Sequence, residues 1–534
     1  MAQPTIQDAF SLAMQHHQSG RLQAAEELYR QVLARDSAHA GAMQFMGVLA
    51  HQHGKNDIAL DLIRRSLALN PNIPDAHNNL GIVLFALGEI DQAIVCYQAA
   101  LSLNPKFPSA LFNLGDALHR RGRLDEAIAA FGQAIASQPT HAHAYNNLGI
   151  ALRDKQQLDD AIAAFRKAIA FNPALGEAHT NLGNSLKTKG QFDESIIAHR
   201  QAIALNPGFA EAHHNLANAL FASGQYDHAI AAYQKAIALR NNFAEAHSSL
   251  GDLFRSQGRF DDAIAAHRRA IQANPNFVAA HVGIALVLRD MGRLEEAVNC
   301  LREAQRIDPN SKQIAFELAA LNGDNSAPSA PPTLVRALFD QYAHRFDEHL
   351  VKTLEYHAPE QLQAAIQSLT QRTNLDVLDL GCGTGLCGVE LRPMARKLVG
   401  VDLSPGMLQR CARKNIYEEL IEGDVTKVLL QTPAQWDLIV ASDVLIYVGD
   451  LTAFLPAAAA ALRPGGWLAF TIERFEGEGF FLHNSFRFAH SVNYVREIAN
   501  QAHLIEVFNQ NITLRLQLTT PVPGSIIVLS KPQP

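Results

Sequence analysis

Cysteine is scarce in this sequence of 534 residues: there are five, Cys96, Cys300, Cys382, Cys387 and Cys411. They form no CxxC pair and fall far short of a secreted disulfide scaffold, so a reducing compartment is expected. Long apolar runs are missing too. No segment approaches the roughly 20 apolar residues needed to span a bilayer, and Met1 to Gly20 lacks a basic start followed by an apolar stretch. A cytoplasmic protein without membrane contact is therefore expected. Nor does one sign of charge dominate: 45 Lys+Arg stand against 52 Asp+Glu, and from Leu334 onward 17 stand against 21. That balance weighs against holding nucleic acid by phosphate neutralisation, and no nucleic-acid partner is expected. The length exceeds what one core supports, so two or more domains are expected, one of them a candidate repeat array.

The first three hundred residues repeat with a period of 34. The unit ends fall at Asp36, Asn70, Asn104, Gln138, Asn172, Asn206, Arg240, Asn274 and Asp308, and proline follows all but Asp36 and Arg240. Nine units result, over about Ile6 to Ser311. A small residue recurs at Gly47, Gly81, Gly115, Gly149, Gly183, Ala217 and Gly251, where two helices must approach closely. A second glycine recurs at Gly20, Gly54, Gly88, Gly122, Gly190, Gly224, Gly258 and Gly292, with Gln156 the departure. It suits a helix C-terminus that needs a left-handed residue. The second helix of each unit shows an apolar face at i, i+4, i+7, as in Ala93, Tyr97 and Ala100 or Ala161, Phe165 and Ala168. Each unit is thus a helix pair, and Lys312 to Leu321 reads as a helix capping the stack.

This pattern of Asn-Leu-Gly, then Ala and Tyr/Phe, then Asn-Pro resembles the tetratricopeptide repeat family, which implies an all-α superhelix over 1–321. Asn79, Asn113, Asn147, Asn181 and Asn215 stand before the Leu-Gly or Leu-Ala pair in five successive units. A carboxamide offers both donor and acceptor, so such a ladder can hold a peptide backbone whatever its side chains. The repeats resemble those of O-linked N-acetylglucosamine transferase, and the resemblance implies a protein or peptide bound on the concave face. The alternative is that these amides bond within the helix pairs. His77, His179, His213, His247 and His281 share another repeat position. One per repeat cannot converge at the roughly 2.0 to 2.1 Å a shared zinc requires, so they read as packing or surface residues and no metal is expected.

Residues 322–333, NGDNSAPSAPPT, carry three prolines and no apolar periodicity, as expected for an exposed linker. From Leu334 onward short apolar runs alternate with amphipathic stretches, the pattern of a parallel sheet with crossover helices. The first run ends in Asp379, Gly381, Gly383 and Gly385, a glycine-rich turn that allows close backbone approach to a ligand. Alone, that turn would serve a dinucleotide equally well. The second run ends in Asp402, suited to the two hydroxyls of a ribose, with Leu403 and Met407 as apolar cover. Asp424 and Val425 follow a third segment, Ser442 and Asp443 end a fourth, and Leu462 to Trp467 turns into a fifth.

In this order and spacing the segments resemble the class I S-adenosylmethionine methyltransferase family over Leu334 to Pro534. The resemblance implies an α/β Rossmann-like, seven-stranded domain whose last strand is antiparallel, matching Asn511 to Gln517 and Ser525 to Ser530. It also implies S-adenosylmethionine as cofactor, with Asp379 and the glycine turn at its amino-acid end, Asp402 at the ribose and Asp424 at the adenine. The stretch Phe339 to Leu350, with Tyr342 and Phe346 four apart, resembles the opening segment that lids the cofactor in bacterial predicted methyltransferases fused to tetratricopeptide repeats. A plain docking helix is the alternative. His490, in an insert after the fifth strand, is the first candidate for a base, followed by Tyr447, His344 and Glu473; packing or surface roles are open for all four. Ala441-Ser442-Asp443-Val444 differs from the Asn/Asp-Pro-Pro-aromatic motif of enzymes that methylate adenine or glutamine nitrogen, which argues against that chemistry. The expected activity is methyl transfer to a protein or peptide docked by the repeats. The alternatives are a small-molecule acceptor with repeats used for assembly, and a scaffold with an inactive domain.

Overall fold

The structure is a computed structural model that describes residues 5–343, 346–348, 350, 356–517 and 520–533. The chain divides into two compact units, Met1–Ser223 and Gly224–Pro534, and each is taken by itself. No helix among the described residues is long and apolar enough to cross a membrane.

The first unit is a run of antiparallel helix pairs, from Ile6–Gln18 with Leu22–Arg35 to Leu158–Phe171 and beyond. The small residue of each pair works as the sequence suggests. A Cβ on Gly81 would stand 2.5 Å from the Tyr97 ring, and on Gly115 or Gly149 it would stand 2.6 Å from Phe131 or Phe165. Those rings are buried, each worth on the order of 1.5–3 kcal/mol against exposure. The turn glycines are left-handed, and Gln156 adopts the same conformation at φ 64°. The repeated histidines close the turn between units: Nε2 of His77, His179 and His213 donates to the carbonyls of Pro71, Pro173 and Pro207 at 2.8, 3.0 and 3.1 Å. The five ladder asparagines are all half-buried. Two of them also tie repeats together, since Asn113 Nδ2 donates to Asn78 Oδ1 and Asn181 Nδ2 to Asn146 Oδ1, each at 3.0 Å.

The second unit begins with the remaining repeat helices, Tyr226–Leu239 to Leu294–Ile307, and a cap helix, Lys312–Asn322. Gly323, at φ 68°, ends the cap. The following segment is mostly exposed, as its composition suggests, but it is held by hydrogen bonds. Pro328 O accepts from Gly449 N at 2.9 Å and Asp450 N at 2.8 Å, Ala330 N donates to Tyr447 O at 2.9 Å, and Leu482 N donates to Asn325 Oδ1 at 2.8 Å. Prolines hold this stretch extended, leaving its carbonyls free for a neighbouring loop. Ala330 is buried together with Phe316, Ala319 and Ala320 of the cap.

Beyond the leading helix Pro332–Tyr342 lies one mixed sheet flanked by helices. Its strands are β1 (Leu375–Leu380), β2 (Ala395–Asp402), β3 (Glu419–Glu422), β4 (Trp436–Ala441), β5 (Leu462–Arg474), β6 (Phe480–Leu482), β7 (Phe488–His490), β8 (Ile505–Gln517) and β9 (Thr520–Ser530). The parallel part runs β3-β2-β1-β4-β5, β9 lies antiparallel beside β5, and β8 pairs with β9. These are the seven expected strands with the last one reversed. The sheet nevertheless has nine, because the insert after β5 folds into the short β6-β7 hairpin against the end of β5. All six residues of β1 are buried, as a strand covered on both faces requires.

Candidate functional site

Parallel pairing aligns the C-terminal ends of β1, β2 and β4: Leu380 lies opposite Val401 and Ala441. The glycine turn leaves β1 there with Gly381, Gly383 and Gly385 at φ 63°, 54° and 88°. A Cβ on Gly381 would meet Val444 Cγ2 at 2.5 Å, so only glycine keeps the turn tight. Asp402, ending β2, accepts from Gly383 N at 2.9 Å and Ser404 N at 2.8 Å. Burial raises its carboxyl, while those backbone donors pull it back. Asp424 caps the helix Val425–Gln431 by accepting from Lys427 N at 3.0 Å.

Above this edge lies a cavity of about 390 Å³. Of the residues singled out in the sequence, Gly381, Gly383, Asp402, Leu403, Asp424, Val425, Ser442 and Tyr447 line it. Asp379 lies behind the turn, accepting the Tyr417 hydroxyl at 2.6 Å, and burial pushes its carboxyl up to about 7. Gly385 faces Cys411 and Tyr417 instead of the cavity, and Met407 is packed in the core. The Tyr342 side chain and His344 lie outside the described residues.

Three base candidates sit where that role does not fit them. His490 is fully buried, and its Nε2 lies 2.9 Å from Val448 O and 3.0 Å from Gly449 O. Both partners are acceptors, so Nε2 carries the proton; burial lowers the imidazole to about 4. The β6-β7 hairpin turns this side chain toward the loop after β4, away from the cavity lining. Glu473 is buried and bonded to Arg515. Tyr447 does line the cavity, but burial raises its phenol, which makes it a donor rather than a base.

Tyr356 and Arg515 also line the cavity and were not singled out in the sequence. Tyr356 and Ser442 share a hydrogen bond of 2.7 Å between their hydroxyls. Arg515 holds Asp443 through Nη1 at 2.8 and 3.0 Å and also binds Glu473. Burial disfavours that guanidinium, but the two carboxylates outweigh it and hold its pKa above the ordinary value. Asp443 itself has φ 58°, a strained backbone at the strand end. The leading helix is fastened by Asp340, which accepts from Ser404 Oγ at 2.5 Å and Gly406 N at 3.1 Å, and by Arg336 to Glu422 at 3.0 Å. Asp347 binds the Thr384 hydroxyl of the glycine turn and Lys414 at 3.2 Å. Leu338, Phe339, Phe346 and Leu350 of this segment form an apolar cavity wall, with Phe339 edge-on to Tyr447 at 5.6 Å.

A methyltransferase domain model matches residues 377–466. Tetratricopeptide-repeat models match 10–74, 46–94, 78–140 and 121–175, then 183–224 and 217–254, and finally 254–321. The chain is 33% identical over 151 residues to the biotin biosynthesis bifunctional protein BioCD of Bordetella avium, covering 27% of this chain and 30% of that protein. It is 30% identical over 100 residues to a ubiquinone biosynthesis O-methyltransferase of Bordetella pertussis, covering 18% and 41%. It thus spans less than two thirds of either relative. Among solved structures, MamA protein is 30% identical, covering 32% of this chain and 92% of that one, with a TM-score of 0.28. The chain is a fusion of tetratricopeptide repeats with a methyltransferase domain.

Proposed function

We propose that the chain is an S-adenosylmethionine-dependent methyltransferase in which residues 334–534 carry the reaction and residues 1–321 dock a protein or peptide acceptor. The observation that supports the cofactor most directly is the cradle formed by Gly381, Gly383 and Asp402 on one cavity wall. When bound, the cofactor supplies a methyl carbon made electrophilic by its sulfonium. In this reading Asp402 accepts the ribose hydroxyls, Gly381 and Gly383 let the amino-acid end approach the backbone, and Asp424 with Val425 receives the adenine under Leu403. The apolar wall of Leu338, Phe339, Phe346 and Leu350 keeps water from the reacting centre, which displacement at sulfonium requires more than it requires a base.

For the acceptor, the ladder of half-buried amides supports a polypeptide, since Asn113 and Asn181 use one donor each between repeats and Asn147 Oδ1 accepts from Asn146 Nδ2 at 3.3 Å, which leaves each amide further donor or acceptor capacity. Calorimetric titration of the full chain with S-adenosylmethionine tests the first claim. Binding weakened roughly tenfold or more by Asp402→Ala is expected, and a folded chain that binds nothing refutes the reading. Transfer of labelled methyl into a fractionated lysate tests the second. Label in the protein fraction supports the docked polypeptide, and label confined to small molecules replaces it with the small-molecule reading.

A further inference from the structure

Two guanidinium groups line the cavity, and they differ in how they are compensated. Arg515 is held between Asp443 and Glu473, so its charge is already neutralised. Arg487 makes no ion pair with a carboxylate among the described residues; its neighbour in the cavity is the Tyr447 hydroxyl. The chain holds Arg487 in place at a cost. The preceding Phe486 has φ 67°, and a bulky residue there costs on the order of 1–3 kcal/mol. Its ring is clamped by the Arg289 guanidinium at 4.5 Å and by Phe316 at 6.2 Å. The cavity it shares has apolar walls as well, among them Ala330, Val335, Leu338, Phe339, Ile446 and Val448.

Among the described residues the cavity carboxylates are already engaged. Asp402 is bonded to backbone donors, Asp424 caps a helix and Asp443 is tied to Arg515. Burial raises the Tyr356 and Tyr447 phenols and the Cys387 thiol, while the neighbouring Cys411 and burial raise Cys382. An acceptor with a proton of high pKa would need a base to receive it. A carboxylate, ordinarily ionised above about 4, arrives with no such proton.

We infer that the methyl acceptor is an organic carboxylate on an apolar body, recognised by the Arg487 guanidinium. This rests on the methyltransferase reading above. One carboxylate oxygen is bound by Arg487, and the other forms the new oxygen–carbon bond. The methyl–sulfur bond breaks with its electron pair left on sulfur, giving a methyl ester and a neutral thioether without release of a proton. The carboxylate belongs either to a polypeptide or to a small acid, and the chemistry at the cavity is the same.

The test uses the full chain saturated with S-adenosylhomocysteine and titrated with phenylacetate, phenylacetamide and phenethylamine. A charge-assisted contact predicts phenylacetate binding roughly tenfold or more tighter than the amide. Arg487→Gln should erase that preference and Arg487→Lys should restore part of it, while S-adenosylhomocysteine affinity, which reports an intact fold, stays unchanged. Equal affinity for acid and amide, a preference that survives Arg487→Gln, or no binding of any probe overturns the carboxylate. Failure to bind S-adenosylhomocysteine at all would instead overturn the methyltransferase reading. In lysate, label released as methanol by mild base is expected of an ester, and base-stable label overturns the proposal. Its recovery in protein or in small molecules identifies the source of the carboxylate.

Discussion

At the scale of single residues, one position of the repeat shows how composition and burial can conflict. The ring that fills the gap beside the small glycine is Tyr97, Phe131 or Phe165 in three repeats, but His199 in another, with Gly183 2.6 Å from it were a Cβ present. His199 is fully buried and neither ring nitrogen has a partner. Burial, with some help from Lys187, lowers its pKa from 6.5 to about 4. The unfolded chain therefore takes up a proton below 6.5 that the folded chain refuses until about 4. Stability from this group is full above pH 6.5 and falls as pH drops through that window, by up to about 3 kcal/mol. His199→Phe should flatten this loss. The check is the difference between urea midpoints at pH 7.5 and pH 5, which should narrow in the variant; an unchanged difference would show that His199 does not titrate with unfolding.

At the scale of elements, helix ends and strand ends were unequally legible. The turn that closes each first helix demands a left-handed residue, and the recurring glycine makes that demand legible in the sequence. Gln156, at φ 64°, meets the same demand with a side chain. Relief of that strain exceeds the extra entropy of glycine in the unfolded chain, so Gln156→Gly should stabilise the first unit by about 0.5–1 kcal/mol. A urea midpoint that moves down would mean that the glutamine side chain makes a contact worth more than the strain. Such local rules, written within one 34-residue period, explain why the repeats could be read directly. The glycine-turn wall of the cavity was legible for a similar reason, since Gly381, Gly383 and Asp402 each sit at a strand end and line it. The opposite wall was not. Arg515 reaches Asp443 across 72 positions and Tyr356 reaches Ser442 across 86, pairings that no periodicity encodes. For His490 the sequence left a base and a packing role open, and only the β6-β7 hairpin shows that its donor nitrogen faces two carbonyls.

At the scale of the whole molecule, the last repeats are built into the second compact unit. Phe316 of the cap helix is 3% exposed and packs on Phe486 and Phe488 at 6.2 and 6.0 Å, in the same segment that carries Arg487. Residues 325–330 are hydrogen-bonded to the loop after β4 and to the end of β6, so a cut there removes anchoring contacts and not a free hinge. Two truncated chains should consequently behave differently. Removing residues 1–243 keeps the helix pairs from Ala244 onward and leaves the cap, Arg289 and the cavity wall together. S-adenosylmethionine binding should persist there with little change in melting temperature. Removing residues 1–333 takes away Phe316, Arg289 and Ala330 at once. Loss of the buried phenylalanine alone costs about 1.5–3 kcal/mol, so melting should fall by several degrees and phenylacetate binding should weaken more than S-adenosylhomocysteine binding. Differential scanning calorimetry with both ligands decides it. Equal melting and equal phenylacetate affinity in the two chains would show that the repeats only carry the domain and do not shape its acceptor site.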